Sequence, residues 1–152
     1  MNIELSTFAA RLRGLIEQHE FLAGKHSLHQ NFDSLALELF ALQSKYNPVY
    51  AEICEARQLT PAAVRFWAQI PFVPTGAFKD LEFSCIPPGE RTAVFHSSGT
   101  TEQKPGRHFH YAESLALYEA SLWHWFRVHF GGANEFVFLT PNQIAATRSS
   151  SR

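Results

Sequence analysis

The sequence predicts an α/β fold, with a helical N-terminal region followed by the beginning of a sheet. Three observations predict it. Apolar residues recur at helical spacing through the first half of the chain. A short apolar segment, 92–96, then leads into a loop rich in serine, threonine and glycine. Finally, a long amphipathic pattern over 112–130 precedes a second apolar segment, 135–140, so the predicted order is strand, loop, helix, strand.

The first two helices are predicted from the spacing of apolar residues. Between residues 5 and 16 these residues lie three and four apart, which is typical of one face of a helix. A similar spacing between 32 and 42 predicts a second helix, with Asn31 or Asp33 at its start. The long helix over 112–130 is predicted in the same way and ends at a pair of glycines.

Two pairs of residues that end in proline predict further helix starts. Asn47-Pro48 supplies a capping side chain followed by proline at the first helical position. Thr60-Pro61 repeats the arrangement. Beyond Ile70 the prolines lie three apart, which forbids a regular helix and predicts extended backbone. We therefore divide the chain into a helical region, 1–69, and a partial core, 70–152.

The most informative stretch is the loop at residues 97–106. Four hydroxyls and one glycine occupy five consecutive positions directly after a predicted strand. Glycine admits backbone conformations that are closed to other residues, and successive N–H groups can then line a concave anion site. Hydroxyls and a lysine add further donors and a positive charge. The pattern predicts a site for the phosphates of a nucleotide, with these candidate ligands: Ser97, Ser98, Gly99, Thr100, Thr101 and Lys104.

Composition excludes several classes of function. A net charge of −1 with neutral histidines does not give the basic footprint of a nucleic-acid-binding protein. No apolar run is long enough to span a membrane, and the N-terminus lacks the layout of a signal peptide. Cys54 and Cys85 do not have the spacing of paired metal ligands. We therefore expect a cytoplasmic protein with reduced thiols.

Two other chemistries fit these residues less well. His108 and His110 alternate in an extended segment and would face one side, but no cysteine or carboxylate stands near them at zinc-ligand spacing. Ser98 follows a strand, yet its surroundings lack both glycines of the Gly-x-Ser-x-Gly nucleophile motif. We predict no metal site, and we expect His110 to pack at a strand end or to face substrate. Lys104 and Arg107 are each candidates for contacting a phosphate.

The loop and its flanks resemble a known family. The run Ser97-Ser98-Gly99-Thr100-Thr101 resembles the phosphate-binding motif of the acyl-adenylate-forming enzymes. Within that group, the flanking segments are similar to the acyl-protein synthetases of bacterial bioluminescence, which are fatty-acid–protein ligases. The resemblance covers roughly residues 65–150. The similar segments are Ile70-Pro71-Phe72-Val73-Pro74, Phe78-Lys79, Ser114-Leu115, Leu117-Tyr118-Glu119, Leu139-Thr140-Pro141 and Ser149-Ser150.

The resemblance implies an activity, cofactors and partners. The family activates a fatty acid with ATP and Mg²⁺ to an acyl-adenylate. It then moves the acyl group to a cysteine of its own chain and onward to a partner protein, a fatty-acid reductase. The loop residues 97–101 would wrap the β- and γ-phosphates and hold the α-phosphate for attack by the carboxylate. Neither Cys54 nor Cys85 matches the position of the acylated cysteine, and no catalytic residue is assigned.

The loop departs from the family pattern at two places. Glu102 stands where the pattern has glycine, and its carboxylate would repel phosphate unless a Mg²⁺ lies between them. Lys104 and Pro105 stand in exchanged order. Two alternatives therefore stay open: a non-catalytic module that retains the loop, and a relative of the acyl- or aryl-CoA ligases. Since two strands are a poor minimum for a sheet, we expect an N-terminal part of a longer protein that is inactive alone.

Overall fold

A computed structural model of the chain describes residues 2–17, 25–97, 104–130 and 148–149. It is mixed α/β, as predicted. The helices within these ranges are α1 (Ile3–Glu17), α2 (Lys25–Tyr46), α3 (Pro48–Ala56), α4 (Ala77–Asp80) and α5 (Ala112–Phe130). The strands are β1 (Ala93–His96), β2 (Arg107–His110) and β3 (Arg148–Ser149). Short 3-10 turns occupy Trp67–Gln69 and Pro88–Glu90.

The three strands form one sheet in the order β2-β1-β3. β1 and β2 are antiparallel, with Phe95 opposite His108 and His96 opposite Arg107. β2 occupies the segment after the serine-rich loop that the sequence predicted to be extended. This strand separates the loop from α5, so the described residues do not form the predicted order of strand, loop, helix and strand. β3 follows α5 and runs parallel to β1, the direction that a helical crossover favours. The predicted strand at 135–140 lies outside the described residues.

Of the three helices predicted from the spacing of apolar residues, two are confirmed and one begins earlier than predicted. α1 covers the predicted span, and α5 has the predicted bounds. α2 begins at Lys25, several residues before the predicted start at Asn31 or Asp33. The Oδ1 atom of Asp33 accepts a hydrogen bond from the backbone N–H of Trp67 at 2.8 Å. This carboxylate therefore holds a distant turn and does not cap α2.

The start of α3 is confirmed in detail. Asn47 has extended backbone (φ −113°, ψ 98°), and Pro48 occupies the first helical position. The Oδ1 atom of Asn47 accepts a hydrogen bond from the N–H of Tyr50 at 3.2 Å, which satisfies one of the free N–H groups at the helix end. Asn47 is only 3% exposed, so this bond is shielded from bulk water.

Replacing the Asn47 cap is expected to lower the stability of the chain. Asn47→Ala should reduce the free energy of unfolding by about 1–2 kcal/mol, because the N–H of Tyr50 loses its buried partner. Asn47→Ser keeps an acceptor oxygen at the cap and should retain most of the stability. Urea denaturation followed by circular dichroism measures both variants. Equal losses for the two would show that the capping bond does not stabilise α3.

The helix predicted at Thr60-Pro61 does not form. The carbonyl oxygen of Thr60 accepts from the N–H groups of residues 63 and 64, which closes a turn. The next N–H, that of Arg65, donates to Oε1 of Gln69 at 2.7 Å. The Gln69 side chain thus accepts an N–H that a continuing helix would bond to one of its own carbonyls. Residues 71–74 have neither helix nor strand, which agrees with the prediction that the prolines after Ile70 forbid a regular helix.

A buried cluster joins α2, α3 and the chain that follows them. Phe40, Tyr50, Cys54 and Val64 form its centre. The hydroxyl of Tyr50 donates to the carbonyl oxygen of Pro71 at 2.7 Å, and this bond holds the segment 71–74 against the helices. Elsewhere α1 packs along α5, and α4 packs against β2. None of the helices in the described ranges has the length and apolar character required to cross a membrane.

Candidate functional site

The serine-rich loop is closed at its base by a pair of hydrogen bonds between Ser97 and Gly106. The N–H of Ser97 donates to the carbonyl oxygen of Gly106 at 3.1 Å. In return, the N–H of Gly106 donates to Oγ of Ser97 at 2.9 Å. We call these two residues the loop neck. Because Ser97 Oγ acts as the acceptor, its hydroxyl proton is left to donate to a further group.

The structure describes two of the six predicted phosphate ligands. Ser97 stands in the neck, and Lys104 is exposed just before its other end. The remaining four candidates lie outside the described residues: Ser98, Gly99, Thr100 and Thr101. The neck brings the two ends of the loop together at Ser97 and Gly106.

The neck is packed closely around position 106, so a side chain there would crowd its neighbours. Gly106 is buried, and a Cβ atom there would lie 3.0 Å from Ser97 Oγ and 3.4 Å from Cβ of Phe78. Phe78 belongs to α4, and its ring lies 5.0 Å from the ring of His108 on β2. α4 therefore supports the loop from one side. Sequence reasoning gave Phe78 no role beyond the resemblance, and it did not place Gly106 opposite Ser97.

A second cation, Arg107, follows the neck directly. Its guanidinium lies over the ring of Phe109, 5.6 Å from the centroid, and 4.0 Å from a carboxylate oxygen of Glu82. Glu82 pairs more closely with Arg91, at 2.5 Å, and the hydrogen bond from Arg91 lowers the pKa of the Glu82 carboxyl. The Nε–H of Arg107 is buried and has no hydrogen-bond partner within the described part of the chain. Arg107 is thus a cation with donor capacity beside the neck.

The two histidines of β2 pack against aromatic rings. The ring of His110 lies 4.5 Å from that of Phe95 and 5.9 Å from that of Tyr118. Its Nδ1 atom lies 3.3 Å from Oγ of Ser114. In the described ranges, no three histidine, cysteine, aspartate or glutamate side chains come together as metal ligands would. His110 thus takes the packing position at a strand end that the sequence suggested.

The partly buried position of His110 predicts a loss of stability in acid. Burial, together with the nearby His108, lowers the pKa of His110 below its ordinary value of 6.5. As the pH falls below 6.5, the unfolded chain therefore takes up a proton before the folded one does. The difference in the pKa of His110 between the two states contributes to the free energy of unfolding. This contribution is complete above pH 6.5 and is lost as the pH falls through the lowered pKa of the folded state. Urea unfolding measured over this range checks the slope.

The control for this pH dependence is a second histidine. His110→Gln cannot take up a proton, so its stability should depend less on pH in the acid range. His129→Gln changes an exposed histidine and should leave the slope of the original chain unchanged. An identical slope in the original chain and in His110→Gln would refute the assignment.

No family model, curated protein or solved structure matches this chain.

Proposed function

We propose that this chain carries the phosphate-binding loop of an ATP-dependent ligase. This ligase activates a fatty acid as its acyl-adenylate and passes the acyl group to a protein cysteine, with a fatty-acid reductase as the kind of protein that receives it. The observation that supports the proposal most is the loop neck. It closes the base of the hydroxyl-rich and glycine-containing segment at the end of β1, and two cations, Lys104 and Arg107, lie beside it in the chain.

The loop would act by position and charge. Backbone N–H groups and hydroxyls of residues 97–101 would hold the terminal phosphates of ATP, so that the carboxylate of the acid meets the α-phosphate in line with the departing pyrophosphate. Lys104 and Arg107 would stabilise the negative charge that collects on the pyrophosphate. Arg107 suits this task because its fork of donors matches phosphate geometry and its Nε–H is uncommitted among the described residues.

Mg²⁺ would accompany ATP in this site. The cation would neutralise part of the phosphate charge. Glu102, the one acidic residue of the loop, stands close to where those phosphates would bind. A Mg²⁺ between the carboxylate and the phosphates turns a repulsive contact into a bridged one. We therefore expect nucleotide binding to depend on the divalent cation.

Calorimetric titration with MgATP tests the proposal. The double variant Thr100→Ala, Thr101→Ala should weaken binding at least tenfold, because a hydrogen bond to a charged group contributes about 1.5–3 kcal/mol. The matched control is Thr7→Ala with Ser121→Ala, which removes two exposed hydroxyls that donate to carbonyl oxygens of their own helices. The control should bind MgATP as the original chain does. Absence of binding by the original chain, or unchanged affinity in the double loop variant, would refute the proposal.

Glu102 favours a second candidate function. A carboxylate at a position where the family pattern has glycine is what a non-catalytic module that retains the loop would tolerate. Such a module needs no phosphate affinity, so the titration with MgATP should then produce no heat. Glu102→Gly should not restore binding in that case, whereas in a working site it should strengthen the binding of Mg²⁺-free pyrophosphate.

A further inference from the structure

An apolar cleft of 360 Å³ lies between α2, α3 and the segment 70–83. This volume lies at the lower end of the range for small-molecule sites, which is about 300–1,000 Å³. Six of the lining residues are large and apolar: Leu39, Phe40, Ile70, Val73, Phe78 and Phe83. The others are Ala36, Gln43, Asn47 and Tyr50, so none of the described residues that line the cleft is charged.

Each of the three polar lining residues has an oxygen that is already bonded to the protein. The Oδ1 atom of Asn47 caps α3, and the hydroxyl of Tyr50 donates to Pro71 at 2.7 Å. The Oε1 atom of Gln43 lies 3.6 Å from Sγ of Cys85, which donates to it. Burial raises the pKa of the Cys85 thiol to about 11, so this donor keeps its proton at neutral pH. Since a buried polar group without a partner is costly, the cleft suits an uncharged hydrocarbon.

Phe78 connects this cleft to the loop neck. It lines the cleft, and its Cβ atom lies 3.4 Å from where a side chain on Gly106 would begin. Phe78 is therefore in contact with both the cleft and the neck.

We propose that the cleft binds the hydrocarbon chain of a small molecule whose polar end points past Phe78 toward the loop neck. The identity of that molecule as the acid to be activated rests on the proposed function. The affinity of the cleft for an uncharged chain does not, because it follows from the lining alone. Each further alkyl carbon that enters such a lining should therefore tighten binding about fourfold.

Binding of a neutral fluorescent probe, N-phenyl-1-naphthylamine, tests the cleft. The original chain should enhance the emission of the probe, and decanol and decanoate should displace it. Ala36→Trp adds a ring to the cleft wall on α2 and should weaken probe binding at least tenfold. Ala36→Leu should have a smaller effect in the same direction. Ala56→Trp adds the same ring at the exposed end of α3 and should leave binding unchanged.

Three outcomes would overturn the proposal, provided that circular dichroism shows the variants folded. They are no binding by the original chain, equal binding by Ala36→Trp, and loss of binding in Trp123→Ala, which would place the probe on the exposed aromatic face of α5. The MgATP titration keeps the two proposals apart. MgATP binding without probe binding refutes the cleft alone. Probe binding that decanol displaces, without MgATP binding, supports the cleft and refutes the proposed function.

Discussion

Replacing Phe40 by alanine is expected to lower the free energy of unfolding by about 3–5 kcal/mol. Phe40 lies on α2, is only 3% exposed and belongs to the central buried cluster. Its ring meets that of Tyr50 edge to face, with 6.1 Å between the centroids. The variant loses the transfer energy of the ring and its contact with Tyr50, and it leaves a cavity beside the cleft. A loss of this size is a large fraction of the stability of a small domain.

Urea denaturation of Phe40→Ala and of a matched variant, Phe72→Ala, measures this loss. Phe72 is 77% exposed, and its ring meets only the guanidinium of Arg57 at 5.6 Å among the ring contacts of the described chain. The Phe72 variant should therefore lose about 1 kcal/mol or less. Similar losses in the two variants would mean that the cluster around Phe40 does not hold α2 and α3 together.

Local signals in the sequence predicted the elements whose hydrogen bonds close within a few residues. Asn47-Pro48 is such a signal, because the cap oxygen bonds an N–H only three residues away. The amphipathic run at 112–130 is another, since a long helix satisfies its own backbone groups. Both predictions agree with the structure at their boundaries.

The predictions that failed depend on side-chain hydrogen bonds, one of them to a residue far along the chain. Asp33 reads as a helix start, but its carboxylate bonds the N–H of Trp67, 34 residues away. Thr60-Pro61 predicts a second capped helix, but the N–H groups that follow bond to the carbonyl of Thr60 and to the side chain of Gln69. Because side-chain partners of this kind have no local pattern, capping residues alone cannot separate a helix start from a turn.

The candidate site was also predicted only in its local features. Its composition of hydroxyls, glycine and lysine was visible in the sequence at 97–106. The antiparallel pairing of β2 with β1 was not, because it depends on how the loop reverses the chain. The packing of Phe78 against Gly106 joins residues that have no shared motif. Such contacts are set by the fold as a whole.

The loop neck yields the second large effect, through Gly106→Val. The Cβ atom of valine would lie 3.0 Å from Ser97 Oγ and 3.4 Å from Cβ of Phe78, and its two methyl groups would need further space. Forcing extra carbon atoms into a packed site costs about 1–3 kcal/mol. Displacing Ser97 Oγ from the N–H of Gly106 removes a hydrogen bond that contributes about 1 kcal/mol. If the loop binds phosphate, the opened neck should abolish binding of MgATP as well.

The matched control for this variant is Gly89→Val. A Cβ atom at Gly89 would meet no atom within 4 Å, so its stability and MgATP binding should change little. Valine favours extended backbone, so a loss confined to Gly106→Val would come from the crowded neck and not from propensity. Gly106→Ala should fall between the two, because its single added carbon can be accommodated by a shift of the Ser97 side chain. Equal stability of both valine variants would mean that the ends of the loop do not meet at Ser97 and Gly106, and that the loop has no closed base with which to hold an anion.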